Sequence, residues 1–250
     1  MKNIFKIKFL ILSVGMLLFS CTENSETGEV FDTISTSKVI VINAMPETTA
    51  INYKLLVNGL TYGNITSRQS FPYKSYSKAN ASDIIGMYNG FAPSSTLALT
   101  SVQDATKPQT VFVTLGNSFS QDKNYTVVAA NFPLSPEGVV YEDDLTLPAS
   151  GKAKIRLLNL VPNNTTMYDL YSGTTLIKAN IAFKATSEFI EVTPGQQTLA
   201  IRKPGTLTNF RTRSINLQVG KIYTFFVTGS ETVSSTSSIT VAINYMLNKN

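Results

Sequence analysis

The chain is predicted to be all-β, with two similar sandwich units in tandem. Three observations lead there. The nine residues Lys154–Pro162 (Lys-Ile-Arg-Leu-Leu-Asn-Leu-Val-Pro) repeat Lys38–Pro46 (Lys-Val-Ile-Val-Ile-Asn-Ala-Met-Pro), with Lys, Asn and Pro identical and apolar residues of one kind between them. Short apolar runs separated by turn residues then follow each copy in the same order. No stretch beyond residue 37 sustains the 3.6-residue period of an amphipathic helix. A chain of 250 residues suits two domains of about 100–150 residues each. The single Cys excludes an internal disulfide, so packing alone must hold each unit.

The first element is a targeting segment, residues 1–20. Lys2, Lys6 and Lys8 precede an apolar run from Phe9 to Phe19, shorter than the roughly 20 residues that span a bilayer. The run ends in Leu18-Phe19-Ser20-Cys21, which resembles the lipobox of bacterial lipoproteins. The resemblance implies that Cys21 is acylated, palmitate among its chains, and becomes the mature N-terminus. Two or three acyl chains, at about 0.8 kcal/mol per buried CH₂, anchor a protein stably. Setting those lysines aside takes 21 basic residues against 16 acidic down to 18 against 16. So weak a charge is no footprint for nucleic acid, and no nucleic-acid partner is expected.

Residues 21–37 read as a disordered polar tether, rich in Ser, Thr and Glu. Glu23, Glu26 and Glu29 loosely resemble the acidic signal that sends Bacteroidota lipoproteins to the cell surface, although here the acids are spaced. Asp32-Thr33-Ile34 resembles the O-glycosylation site of that phylum, which makes Thr33 a candidate acceptor. The expected location is the outer membrane, lipid-anchored, on the cell surface.

The first unit spans 38–147. Val39–Ile42 is a β-branched run of the kind found in a strand buried on both faces. Tyr53–Val57 enters an Asn58-Gly59 turn, which supplies the positive φ of a hairpin. Thr96–Leu99, Val111–Leu115, Tyr125–Ala130 and Val139–Tyr141 complete the strands. The second unit spans 152–247 and repeats these blocks. Tyr168–Gly173 matches Tyr53–Gly59, Thr198–Ile201 matches Thr96–Leu99, and Lys221–Thr224 matches Lys123–Thr126. Ile239–Tyr245 alternates as a last, half-buried strand, after a Thr232–Ser238 run that reads as a loop. Some seven short strands per hundred residues read as an immunoglobulin-like sandwich.

These blocks, with Asp169, Gly173, Pro194-Gly195 and Gly220-Lys221-Ile222-Tyr223-Thr224 in the second unit, resemble the family called domain of unknown function 4397. That family is often present in tandem in Bacteroidota lipoproteins. The first unit departs from the pattern, with Lys54 where Asp is usual and Ala92-Pro93 in place of Pro-Gly. The resemblance implies a β-sandwich on the cell envelope and carries no catalytic residues.

Chemistry is scarce. The chain has no His, and its Cys is assigned to lipid, which removes Ser/His and Cys/His nucleophiles and the usual zinc ligands. No cofactor and no metal site is expected. Glu142-Asp143-Asp144 precedes the linker Leu147–Gly151 and reads as a solvated hinge, with a weak Ca²⁺ site as the lesser reading. Glu188 and Glu191 form the second unit's one nearby carboxylate pair.

One asymmetry stands out. From Gly59 to Leu97 the first unit takes 38 residues, where Gly173 to Leu199 takes 26. The excess falls in Arg68–Gly90, which carries Tyr73, Lys74, Tyr76, Lys78 and Tyr88, the residue types of adaptable binding loops. The competing reading is a long loop or an edge strand whose tyrosines pack on the sandwich. The functional expectation is a non-enzymatic envelope protein for adhesion, scaffolding or binding of a protein or glycan ligand. Carbohydrate binding in a glycan-uptake system and a fimbrial-type subunit are the alternatives. Fimbrial maturation after a basic residue is disfavoured, because no Arg lies between Cys21 and Arg68.

Overall fold

The structure, a computed structural model, describes residues 36–46, 53–61, 70–71, 75–76, 89–101, 111–162, 165–232 and 239–249. These form two β-sandwiches without helix. The first contains β1 (Ser37–Asn43), β2 (Tyr53–Val57), β3 (Leu60–Thr61), β4 (Ser70–Phe71), β5 (Ser75–Tyr76), β6 (Asn89–Phe91), β7 (Leu97–Ser101), β8 (Val111–Gly116), β9 (Asn124–Ala130) and β10 (Glu137–Glu142). The second contains β11 (Ala153–Asn159), β12 (Tyr168–Ser172), β13 (Thr175–Ile181), β14 (Ile190–Val192), β15 (Gly195–Arg202), β16 (Arg211–Leu217), β17 (Ile222–Thr228) and β18 (Ala242–Lys249).

The two sandwiches share one plan. In the first, a sheet ordered β10-β9-β1, with β5 and β6 on the far edge of β1, faces a sheet ordered β3-β2-β7-β8. In the second, β14-β11-β17-β18 faces β13-β12-β15-β16. In each, the opening strand lies parallel to the strand before the last, with Val39 beside Tyr125 and Ile155 beside Tyr223. Hairpin β9–β10 passes so close to β8 that a Cβ on Gly138 would sit 2.1 Å from the Thr114 carbonyl oxygen.

The apolar runs of the opening strands have a physical reason, and it is the second domain. Val39 and Val41 point into the first sandwich, with Leu55, Leu99, Tyr125 and Val127. Ile40 and Ile42, on the opposite face, enter a separate core with Val128, Ala130 and Tyr141 from the first domain and Leu158, Leu160, Phe226 and Met246 from the second. In the second sandwich Ile155, Leu157, Phe225 and Val227 turn inward. Both faces of the β1/β9 and β11/β17 pairs are therefore dry, and alternate residues serve different cores.

Two contacts at different heights set the sense of packing. Low on the strands, Arg156 Nη2 meets Asp143 Oδ1 at 2.7 Å. Higher up, Lys184, whose amide donates to the Asn159 carbonyl, reaches Glu137 beside Ala130 with its ammonium group. The sandwiches thus run side by side in the same direction. Ser37, the linker after Glu142 and the end of β18 all lie at one end, here called proximal.

The repeated Asn and Tyr-Thr positions are explained by this frame. The side-chain oxygens of Asn43 and Asn159 accept from the amides of Met45 and Val161, two residues on, at 3.1 and 3.2 Å. Tyr125 and Tyr223 accept from the amides of Ser120 and Gln218, each five residues back, at 2.9 and 3.1 Å, in the manner of the tyrosine corner of immunoglobulin-like domains. The following residues, Thr126 and Thr224, point the other way, into the interdomain core.

The reading of Glu142–Asp144 as a solvated hinge is corrected at Asp143, while the Glu142 and Asp144 side chains are exposed. The Asp143 side chain is buried, paired with a buried Arg156, and accepts from Thr126 Oγ1 at 2.7 Å. Asp144 caps the Thr146 amide at 2.9 Å, and Lys154 Nζ donates to the Thr146 carbonyl at 2.7 Å. Further along, the Ala149 amide donates to Glu191 at 2.7 Å. The linker surface is exposed, but its backbone is tied to both domains.

The two domains should therefore unfold together, in one denaturant transition. Removing either partner of a buried pair costs about 3–5 kcal/mol, because the other charge is left stranded. Arg156→Ile and Asp143→Asn should each show a loss of that size in equilibrium denaturation. The double variant should recover most of it, since it places on each side the residue type that the other repeat already uses, Ile40 and Asn248.

Candidate functional site

The end opposite the linker, here called distal, collects the long connections. Residues 44–52, 102–110 and 131–136 leave the first sandwich there, and 160–167, 203–210 and 229–241 leave the second. The proximal end has tight turns, at Asn58-Gly59 and at Gly173-Thr174. Long connections on a rigid frame are where binding residues are most often placed.

The best-defined distal constellation lies on the second domain. Tyr168 opens β12, and its ring stacks on Phe210 with centroids 5.7 Å apart. Its hydroxyl donates to the Glu231 carboxylate, which pairs with Lys203 Nζ at 2.7 Å. Lys203 and Arg211 both lie over the Phe210 ring, at 5.1 and 4.5 Å from its centroid. Arg211 is fixed by its own donations to the Val241 and Phe210 carbonyls, each at 2.7 Å. Beside it, Arg202 covers the Tyr171 ring at 3.9 Å and donates to Asn209 at 2.7 Å. Burial, with the neighbouring carboxylate adding to it, raises the Tyr168 hydroxyl well above the ordinary tyrosine range, so it stays a donor. The arrangement is a braced platform of cations and rings, with no nucleophile set against a base.

Local sequence explains the bracing. Lys203-Pro204-Gly205 turns the chain out of β15, with Gly205 at φ 77° and the Thr206 amide and hydroxyl both bonded to the Lys203 carbonyl. The hairpin returns to Phe210-Arg211, so residues at its two ends face each other. Leu207 at its tip is almost fully exposed, as is Leu134 on the β9–β10 hairpin, held between Pro133 and Pro136.

A second concavity, about 350 Å³, opens on the side of the second sandwich between β13 and β14. Ser172 and Gln197 form one wall, with Ser172 Oγ donating to Gln197 Oε1 at 2.7 Å.

The residues singled out by sequence are mostly not brought together. Cys21, Thr33, Tyr73, Lys74, Lys78 and Tyr88 lie outside the described residues, as do residues 233–238. Tyr76 lies on β5, where its backbone pairs with Ile42 of β1. That section of the Arg68–Gly90 insertion extends the edge of a sheet. Glu188 and Glu191 are committed elsewhere, Glu188 to Lys178 at 3.0 Å and Glu191 to the Ala149 amide. Among the described residues no group of three His, Cys, Asp or Glu side chains is placed to hold a metal ion. Glu142 is paired with Lys123 at 2.8 Å, and Asp143 with Arg156. The Tyr168 platform was missed by sequence. Its readable signal was the bracket of Arg202-Lys203 and Phe210-Arg211 around a Pro-Gly turn.

Tyr168→Phe leaves the stack but removes the donor to Glu231. A hydrogen bond to a charged group contributes about 1.5–3 kcal/mol. Denaturant unfolding of this variant should show a loss in that range with the fold intact by circular dichroism.

Comparison with curated proteins found no match. Among solved structures, the C-terminal domain of AlgF from P. aeruginosa matches at 17% identity and a TM-score of 0.27, covering 39% of this chain and 99% of that one. The model of the family described as Domain of unknown function (DUF4397) matches residues 37–167 and again 161–245, once for each half of the repeat. The chain belongs to the DUF4397 family, in tandem.

Proposed function

We propose that this is a lipid-anchored protein of the bacterial outer membrane, facing the cell surface, with a non-catalytic binding, adhesion or scaffolding role. In this reading Cys21 carries the lipid, residues 22–36 form the tether, and the paired sandwiches hold the distal loops away from the membrane. One observation carries it. The tether joins β1 at the proximal end, whereas the long loops leave both domains at the other. Extended, residues 22–36 reach roughly 50 Å at about 3.3–3.6 Å per residue, so a partner could be met well clear of the bilayer.

A role without catalysis is supported by the absence of His and by the pairing of most acidic side chains near the linker. A protein partner is favoured over a glycan. The rings of the Tyr168 platform are already covered, Phe210 by Tyr168 and Arg211, and the neighbouring Tyr171 by Arg202. Leu134 and Leu207, exposed on hairpin tips, are better suited to a protein surface.

Fractionation tests the anchor: Cys21→Ala should leave the outer-membrane fraction or stall before maturation, and wild-type retention there would refute it. Surface placement is tested by Leu207→Cys, because the one native Cys is lipidated under this reading. A membrane-impermeant maleimide should label that variant on intact cells. Labelling seen only after lysis would place the distal end inside the envelope.

A further inference from the structure

We infer that the cleft between β13 and β14 is a binding site for a short extended peptide that carries both charges. This goes beyond the distal-end reading and does not depend on the anchor. The cleft lies where the two sheets of the second sandwich separate. β13 pairs only with β12, and β14 only with β11, so among the described residues each presents an unpaired outer edge. Free strand edges accept an added strand through main-chain hydrogen bonds.

The lining complements such a segment. Ile177 and Val192, both packed against the second core, supply the apolar contribution to the cleft wall. A strand laid along β13 would turn alternate side chains toward them. Lys152 supplies a cation and Glu191 a carboxylate, the complement of a peptide's two ends. The Glu191 carboxylate is held by the Ala149 amide, and the Lys152 backbone by the Gly220 amide, which donates to its carbonyl at 2.7 Å. The Lys152 ammonium and the Thr175 and Thr193 hydroxyls have no partner among the described residues, so they are available. At about 350 Å³ the cleft is at the small end for ligand sites, which suits a few residues. Among the described residues no aromatic ring lines it, which disfavours a stacked sugar.

The two repeats also diverge on this side. In the first domain the chain adds residues 62–69 between β3 and β4 and 77–88 between β5 and β6, on the corresponding edges. In the second, β13 is a single seven-residue strand and residues 182–189 link it to β14. The cleft belongs to the copy without those additions.

The test is amide NMR of the chain from residue 22 onward, which keeps both domains and omits Cys21, the proposed lipid site. The probe is the tripeptide Val-Thr-Val with free ends, beside its acetylated and amidated form and maltotriose. Shifts confined to 175–178 and 190–193 with the free-ended peptide are expected. Shifts of the same amides with the capped form alone would transfer the site to internal segments and overturn the role given to Lys152 and Glu191. Thr175→Trp, at an exposed position, should fill the cleft and weaken binding at least about tenfold with an unchanged melting temperature. Absence of shifts at millimolar peptide, or shifts with maltotriose instead, would overturn the proposal.

Discussion

One buried arginine lies at the polar centre of the joint between the two halves of this protein. Arg156 Nε donates to Thr224 Oγ1 at 2.8 Å within its own domain, and its Nη2 reaches Thr126 Oγ1 at 2.7 Å and Asp143 across the interface. Phe189 lies 4.4 Å from the guanidinium carbon and covers it. Each threonine donates onward, Thr126 to Asp143 Oδ2 and Thr224 to Asn248 at 2.6 Å, while Asp143 Oδ1 is held by the arginine as an ion pair without hydrogen-bond geometry. A half-satisfied buried network would be worse than an apolar one. Around it the shared core excludes water, which makes the pairing of the domains obligatory for both.

The interface has an approximate two-fold character, which the repeat makes visible. Ile40 lies beside Thr126 as Arg156 lies beside Thr224 in the paired strand registers. Asp143 and Asn248 bond the two threonines in the same way. A surface that meets its own copy is the isologous interface of a symmetric dimer, here contained in one chain. At the buried centre of the interface the departure from symmetry is one cation and one anion, Arg156 and Asp143. Pairing two second-domain faces would set each arginine against an asparagine, and pairing two first-domain faces would set each aspartate against an isoleucine, so unpaired buried charges disfavour both and fix which domain meets which.

Much of the fold was legible in the sequence, and the misreadings have physical causes. The β-branched run Val39–Ile42 announced a strand with two dry faces, but what dried the second face depended on a domain more than a hundred residues away. Asp143 looked solvated because acids beside a Pro-Ser-Gly linker usually are, and its partner was hidden in a strand. The clue was internal to the repeat: one Arg at the position where the other copy has Ile. The Tyr-Thr pair was recognised as a recurrent block, although its division of labour between two cores is a property of pairing alone. At the candidate sites the sequence was less informative. Tyr76 belongs to a short edge strand that pairing with β1 creates, and local composition does not encode that pairing. The Tyr168 platform joins residues from three separate connections, which no single window contains.

The parallel alignment of β1 with β9 has a mechanical consequence. Under the proposed anchoring, drag on a partner held at the distal loops would be resisted at Ser37, where β1 begins. That load would run lengthwise along β1, a strand bonded to β9 on one side and to β5 and β6 on the other. The hydrogen bonds along β1 would be strained together in shear, whereas a hairpin pulled from its open end breaks its bonds singly, in sequence.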